Sequence, residues 1–231
     1  MNFLGYPRKD GSVGARNYVG VISSAACASD TATSIASQIP GCITFTHRQA
    51  CGLVYPDRDM VHRTLINLGK NPNLASVLVV GPECADSDVD LIANGISQSE
   101  KRVEVVKIHA LGGIMATVAK GTQLAREMVE EASAIQREEC GVSHLRLGVE
   151  CGGSTPLSGS VTNATMGAAL DIIIGKGGSG GFSETPEVIG AEHMIARRAQ
   201  SKEVERRMIE VVERFEKRLM SSGLDFLGSN P

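Results

Sequence analysis

Short apolar segments alternate with helical ones through the first half of the chain, and this alternation limits the folds available to it. Four segments are short, apolar and rich in β-branched residues, as buried strands are, at 18–23, 42–46, 75–81 and 103–108. Helical patterns follow them at 29–39, 59–68, 86–97 and 114–139. Strands and helices that alternate at this spacing form right-handed βαβ units around a largely parallel sheet. We therefore predict an α/β protein with a parallel-sheet three-layer sandwich.

The strand–helix pattern restarts after residue 140. A short apolar strand at 145–149 is followed by a helical run at 161–174, a second strand that ends near Ser183, and a helix that opens near Glu192. An amphipathic helix is predicted at 202–219, with a charged, solvated face. We predict a first α/β domain over 1–140 and a second, incomplete α/β region over 141–231, truncated at its C-terminus.

Charge and hydropathy exclude several classes of protein. A net charge of −3 and a pI near 6.0 provide no basic surface for nucleic acid. No apolar run approaches the roughly 20 residues of a membrane span, and the N-terminus lacks the layout of a signal peptide. We therefore expect a cytoplasmic protein that binds neither nucleic acid nor membrane.

Cysteines follow several of the predicted strands. Cys51, Cys84 and Cys151 each come just after a strand, and Cys27 lies close to one. In a parallel sheet the carboxyl ends of the strands share one edge, so these thiols can converge there, and thiolates suit iron or an iron–sulfur cluster. The alternative is that each cysteine is a small buried hydrophobe. The first reading makes Cys51, Cys84 and Cys151 metal ligands.

Carboxylates and an imidazole lie close together near the second of the later strands. Glu184, Glu187, Glu192 and His193 fall within ten residues. Glu192 and His193 at a helix start form a candidate hard-metal or general-base pair. For Glu187 we favour a first-turn carboxylate that complements the helix dipole. His47, beside Arg48 in the loop before Cys51, is a further candidate base.

Glycines in the second region permit close approach of a ligand to the backbone. The candidate substrate-binding set from this region is Gly152, Gly153, Ser154, Gly177 and Gly178. None of the glycines forms the G-x-G-x-x-G or G-x-x-x-x-G-K-[ST] pattern of nucleotide-binding proteins. A small carboxylated substrate fits this composition better than a nucleotide.

Several motifs resemble those of the altronate dehydratase and galactarate dehydratase family, which includes the large subunit of sulfolactate sulfo-lyase. They are Gly5-Tyr6 through Gly11, Val13-Gly14-Ala15-Arg16-Asn17-Tyr18, Cys151-Gly152-Gly153-Ser154, Ser158-Gly159, Gly177-Gly178, Ser183-Glu184-Thr185 and Gly190-Ala191-Glu192-His193. The resemblance covers nearly the whole chain. It implies a lyase that needs iron(II) or another divalent metal and removes water from a sugar acid such as altronate or galactarate to give a 2-keto-3-deoxy acid. It also implies a small SAF-domain partner subunit, and we expect a homo-oligomer.

Such a lyase needs a base, a general acid and a cation. The proton beside a carboxylate is weakly acidic, so a base removes it while a cation holds the enolate, and an acid then assists the departing hydroxyl or sulfite. We assign the base to His193 or His47, and place Glu184 or Glu192 with the cysteines near the metal. Arg48 is expected to bind a substrate carboxylate with two hydrogen bonds.

A non-catalytic role is the alternative for this chain. Thr155 stands where the family usually has Asp, and the SAF-type domain is missing. Both features favour a subunit or scaffold that binds a small carboxylate or a partner subunit without chemistry. A third possibility is the large subunit of a sulfolactate sulfo-lyase.

Overall fold

The chain folds into two units, Met1–His144 and Leu145–Pro231. A computed structural model describes residues 1–49, 52–84, 88–153 and 155–223. Within these ranges no helix combines the length and apolar character needed to cross a membrane. In chain order the first unit contains β1 (Asn2–Pro7), β2 (Val13–Gly14), β3 (Tyr18–Ser23), α1 (Ser29–Ala36), β4 (Cys42–Phe45), α2 (Asp57–Gly69), β5 (Leu74–Gly81), α3 (Val89–Ser97), β6 (Arg102–Lys107), α4 (Ile114–Ala134) and β7 (Glu138–Gly141).

Four of these strands form the parallel sheet that the sequence predicts. Their order is β4-β3-β5-β6, and every neighbouring pair is parallel. The order reverses between β3 and β5, since the chain passes from β3 to β4 on one side and then to β5 on the other. In open α/β sheets, ligands bind beyond the carboxyl ends of the strands at such a reversal.

Helices cover both faces of the parallel sheet, because alternate residues of its buried strands point to opposite sides. One hydrophobic cluster packs Val19, Val21, Leu78 and Val80 against side chains of α1 and α4. The other packs strand residues of opposite parity, such as Val77 and Val79, against α2 and α3. Helix, sheet and helix therefore form three layers, which confirms the predicted α/β sandwich.

A second, antiparallel sheet in the first unit departs from the sequence prediction. Its order is β2-β1-β7, with Phe3 opposite Cys140. The predicted helix over 114–139 ends at Ala134 instead, because the residues after it pair with the N-terminal strand β1. The polar, glycine-rich segment 8–17 contains β2. The pairing of β1 with β7 joins segments more than 130 residues apart, which local patterns do not show.

The second unit contains a pair of parallel strands with helices after each. Its elements are β8 (Arg146–Val149), α5 (Asn163–Gly175), β9 (Ser179–Phe182), α6 (Glu192–Ala196) and α7 (Lys202–Ser221). β8 and β9 pair in parallel with Arg146 opposite Ser179. A turn of π-helix precedes α5. Ser201 is the N-cap of α7, and its hydroxyl accepts a hydrogen bond from the Val204 N–H at 3.2 Å. Although α5 is apolar in sequence, none of its residues is buried.

Candidate metal centre

The parallel pairing of β8 and β9 brings a thiol and two carboxylates together. Cys151 comes two residues after β8, and Glu184 two residues after β9. Because the strands are parallel, both segments leave the same edge of the sheet. One ligand atom each from Cys151, Glu184 and Glu187 lies within 4.8 Å of the other two. We call these three residues the thiol–carboxylate cluster.

The cluster is accessible to solvent. Cys151 and Glu187 are exposed, and Glu184 is half-buried. Within the described ranges, no other set of three histidine, cysteine, aspartate or glutamate side chains has ligand atoms this close together. Exposure leaves room for a small-molecule ligand beside an ion held by these side chains.

The backbone at Glu184 has an uncommon conformation. Its φ of 66° and ψ of 66° lie in the left-handed region, where residues other than glycine are rare. Its carboxylate accepts a hydrogen bond from the Cys151 N–H at 2.8 Å, which ties the segment after β9 to the segment after β8. Backbone strain of this kind, of order 1–3 kcal/mol, is concentrated at functional sites.

Sequence reasoning missed Glu187 as a member of the cluster. The sequence favours a carboxylate that complements the dipole of a following helix, and Glu187 does lie in the first turn of a short 3-10 helix, Thr185–Val188. In that turn the Glu187 N–H donates to the Glu184 carbonyl at 3.0 Å, so the two residues lie on successive turns of backbone. The i, i+3 spacing of the two glutamates was the available signal.

Glu192 and His193 lie at the start of α6, in the same unit as the cluster. His193 is exposed. Glu192 is half-buried, and its Oε2 atom is buried without a hydrogen-bond partner among the described residues. Buried polar atoms without a partner are rare in native structures and call for an explanation, such as a role in catalysis or ligand binding.

The paired glycines of this unit differ in their surroundings. Gly152 and Gly153 are exposed, and a Cβ at either would meet nothing within 4 Å. At the end of α5, by contrast, the Gly177 N–H donates to the Ile174 carbonyl and the Gly178 N–H donates to the Ile173 carbonyl, both at 2.9 Å. With a φ of 85° at Gly177, this is a Schellman cap. Capping thus accounts for the second pair without a ligand.

Three other candidate residues, Arg48, Cys84 and Cys27, follow strands of the parallel sheet in the first unit. Arg48 is exposed on the loop after β4, and Cys84 is half-buried three residues beyond β5. Cys27 follows β3, in a short 3-10 helix. Cys51 and Ser154 lie outside the described residues. Metal binding by Cys84 and Cys51, and substrate binding by Arg48 and Ser154, stay predictions.

His47 lines a cleft between β4 and α2 in the first unit. The cleft has a volume of about 620 Å³ and is largely apolar. The His47 Nε2 atom lies 3.1 Å from the Ser23 carbonyl oxygen, which can only accept, so Nε2 carries the proton. Nδ1 then accepts from the Gln49 N–H at 3.2 Å. The only lone pair of the ring is therefore in use, and a base at His47 must first release Gln49.

Two family models together cover almost the whole chain. Residues 5–133 match the second domain of D-galactarate dehydratase/altronate hydrolase, and residues 142–231 match the C-terminal domain of D-galactarate/altronate dehydratase. The first of these matches spans more than half of the chain. The chain belongs to the galactarate/altronate dehydratase family. It is therefore a member of a lyase family, as the sequence motifs predict.

Some relatives of this dehydratase-family chain are named as dehydratases, and another is named as a sulfo-lyase subunit. The (2R)-sulfolactate sulfo-lyase subunit beta of Chromohalobacter salexigens is 36% identical over 92% of the chain and 54% of its own length. Altronate dehydratase of Bacillus subtilis is 27% identical over 92% of the chain and 44% of its own length. Galactarate dehydratase (L-threo-forming) of Escherichia coli is 29% identical over 91% of the chain and 44% of its own length. The chain thus spans about half the length of these relatives.

Proposed function

We propose that the chain carries part of the active centre of a metal-dependent lyase that removes water from a sugar acid such as altronate or galactarate. The family supports the reaction class, and two dehydratase relatives carry these substrate names. The observation that carries the proposal is the thiol–carboxylate cluster at the carboxyl ends of two parallel strands. Ligand sites occur at this edge in α/β proteins.

The donor set of the cluster suits a single divalent ion. One thiolate and two carboxylates mix soft and hard ligands, which fits iron(II) or a similar first-row metal. An iron–sulfur cluster is held mainly by cysteine thiolates, and a single cysteine lies in this group. We therefore propose that Cys151, Glu184 and Glu187 hold a mononuclear divalent cation.

Side chains of the same unit supply the proton transfers in this proposal. His193 removes the proton from the carbon beside the substrate carboxylate, and its exposed ring is accessible to a substrate. Glu192 donates a proton to the departing β-hydroxyl, a role that accounts for its buried oxygen without a partner. The bound cation would stabilise the negative charge that develops on the substrate carboxylate. Glu184 orders the site through its bond to the Cys151 N–H.

Elimination of sulfite from sulfolactate is a second candidate reaction. The sulfo-lyase relative is 36% identical to the chain, whereas the two dehydratases named above are 27% and 29% identical. The same groups serve both reactions, because each begins with loss of a proton beside a carboxylate. Only the leaving group differs, and sulfite is a better leaving group than hydroxide. Glu192 would then be dispensable.

Metal content is the first test of the proposal. The chain is purified without oxygen, supplied with iron(II), and its bound metal is measured after gel filtration. We expect about one ion per chain, with binding at least tenfold weaker in Cys151→Ser and Glu187→Gln, because each loses one protein ligand. Glu213→Gln on the exposed face of α7 is the matched control and should bind as the wild type does. Equal binding by all four proteins would exclude the cluster as the metal site.

Turnover distinguishes the two reactions. Altronate, galactarate and (2R)-sulfolactate are supplied separately, with and without a separately expressed SAF-domain subunit of the family, and keto acid and sulfite are measured. Keto acid without sulfite from a sugar acid supports the dehydratase, and sulfite from sulfolactate supports the second candidate. Neither metal nor turnover under any condition would refute both and favour a non-catalytic subunit.

A further inference from the structure

A basic pocket lies at the amino end of the parallel sheet, the edge opposite the strand ends discussed above. It is lined by the first residues of β5 and β6, by the C-terminal half of α4 and by the segment after β1, and its volume is about 290 Å³. That volume suits a small molecule. Four cations and two carboxylates line the pocket, so its charge is positive overall: Arg8, Lys9, Lys101 and Arg102, with Glu100 and Glu131. Ser76 and Met128 also line it. None of them belongs to the thiol–carboxylate cluster.

Two half-buried cations of this pocket form no ion pair with the described residues. Neither Arg8 nor Lys101 forms an ion pair with any described residue. Arg102, in contrast, pairs with Glu104 at 2.9 Å and with Glu131 at 2.7 Å. A cation withdrawn from water without a neutralising partner is energetically unfavourable.

The acceptors that these two cations do contact are neutral. Lys101 Nζ donates to the carbonyl oxygens of Asn71 and Leu74 at 2.8 and 3.2 Å, which leaves one of its three N–H groups. Arg8 donates through Nε to the Pro72 carbonyl at 2.8 Å. Its two terminal nitrogens donate to the side-chain oxygen of Asn17 and to the Arg16 carbonyl. Their donors hold the 71–74 segment in place. The Asp10 carboxylate attracts both cations electrostatically but forms an ion pair with neither, so their charges are compensated only in part.

Ser76 adds an unpartnered hydroxyl to the pocket wall. It is the third residue of β5, its exposed fraction is 5%, and its Oγ atom is buried without a hydrogen-bond partner among the described residues. A buried hydroxyl without a partner destabilises a protein by roughly 1–3 kcal/mol. A ligand that accepts a hydrogen bond from Ser76 would remove this penalty.

We propose that this pocket binds a small oxyanion, a carboxylate or phosphate group on a short organic molecule, held by Arg8, Lys101 and the Ser76 hydroxyl. The opposite wall is apolar, formed by Met128, Ala132 and Ile135, and contacts the carbon part of the ligand. The site is independent of the proposed lyase centre, whose residues all belong to the second unit.

Binding at this pocket is linked to the titration of Lys101. Burial, and then the positive charge of Arg8, lower the pKa of Lys101 from 10.5 to about 8, against a smaller opposing effect of the Asp10 carboxylate. An anion beside the ammonium favours its charged form, so the ligand binds the protonated protein more tightly. Affinity should therefore fall as pH rises from 7 to 9.

Calorimetric titration of the whole chain tests the proposal. Inorganic phosphate and butyrate are titrated separately, in a buffer with little chloride, into the wild type, Ser76→Ala, Lys101→Met and Lys120→Met. Loss of a hydrogen bond or charge at a charged ligand should weaken binding by roughly 10-fold or more in the first two variants. Lys120 is exposed on α4 outside the pocket, so its variant controls for net charge.

The outcomes separate the possible sources of the oxyanion. Tighter binding of phosphate indicates phosphate or a phosphorylated compound, and tighter binding of butyrate indicates an organic acid. Absence of binding by both probes, or an equal loss in Lys120→Met, would overturn the proposal. If Lys101→Met does not fold, Ser76→Ala alone tests the proposal. Removing a buried hydroxyl that has no partner does not destabilise the fold. A loss of affinity in this variant is therefore expected only if Ser76 contacts the ligand.

Discussion

The free energy of unfolding should depend on pH through Lys101. In the folded chain its pKa is about 8, against 10.5 for an ordinary lysine, because burial and Arg8 disfavour the charged form. Between these values the unfolded chain holds a proton that the folded chain has released, so stability rises with pH. If it is not screened by solvent, this pKa shift corresponds to a change of about 3 kcal/mol in the free energy of unfolding. Since the side chain is only half-buried, solvent screening reduces our expectation to about 1–2 kcal/mol.

The perturbation that isolates this effect is Lys101→Met. Urea unfolding is followed by circular dichroism between about pH 7 and pH 10 for the wild type, for this variant and for Lys120→Met, in a buffer without phosphate or carboxylates. Relative to Lys101→Met, the wild type should gain about 1–2 kcal/mol across that range. Lys120→Met, which alters an exposed lysine, should follow the wild type. A constant difference between the wild type and Lys101→Met, or one that changes in the opposite direction, would refute the assigned burial of the ammonium.

Three further predictions concern the fold and the catalytic proposal. A Cβ at Gly14 would collide with the carbonyl oxygen of Pro72, which is a backbone atom and cannot rotate away. Gly14→Ala should therefore lower the free energy of unfolding, measured in urea, by about 1–3 kcal/mol. An unchanged midpoint of urea unfolding would contradict this. Ile92 is fully buried on α3, so Ile92→Ala should lose about 2–5 kcal/mol, while Leu91→Ala, at an exposed neighbour, should lose far less. His193→Ala should reduce turnover by about a hundredfold or more with an unchanged circular dichroism spectrum, and full activity would remove His193 as the base.

The parallel sheet could be predicted from the sequence because its strands are short, apolar segments set between helices. β3 begins and ends at the predicted residues, and β5 extends one residue earlier, from Leu74. Both strands are buried on two faces, so their continuous apolar sequence is a strong local signal. The predicted α7 was also correct, because its apolar residues keep helical spacing over five turns.

The antiparallel sheet could not be predicted in this way. β1 contains Gly5 and ends at Pro7, and β7 contains two exposed glutamates, so neither shows an alternating pattern. Both are strands because they pair with each other from opposite ends of the first unit. Long-range pairing outweighs local preference in these two strands.

The cluster was foreseen in part for a related reason. Cys151 and Glu184 were both selected because they follow predicted strands, and parallel pairing does bring them together. Glu187 was missed because its role depends on the 3-10 turn after the left-handed residue Glu184, which sequence alone does not specify. Gly177 and Gly178 were selected for their bare N–H groups, but the end of α5 uses those groups.

The position of the cluster, just outside the β8–β9 ladder, separates the framework of this unit from its chemistry. The side chains of the cluster belong to the segments that follow the paired residues of β8 and β9. Gly152 and Gly153, next to Cys151, have open space around them. Exchange or lengthening of these segments can alter the pocket around a substrate without breaking a strand-to-strand hydrogen bond. In the proposed lyase, changes to these segments would alter which leaving group the site accepts while the paired strands stay intact. For an engineer who wishes to alter the substrate preference of the proposed lyase, the segments after β8 and β9 are therefore the place to begin.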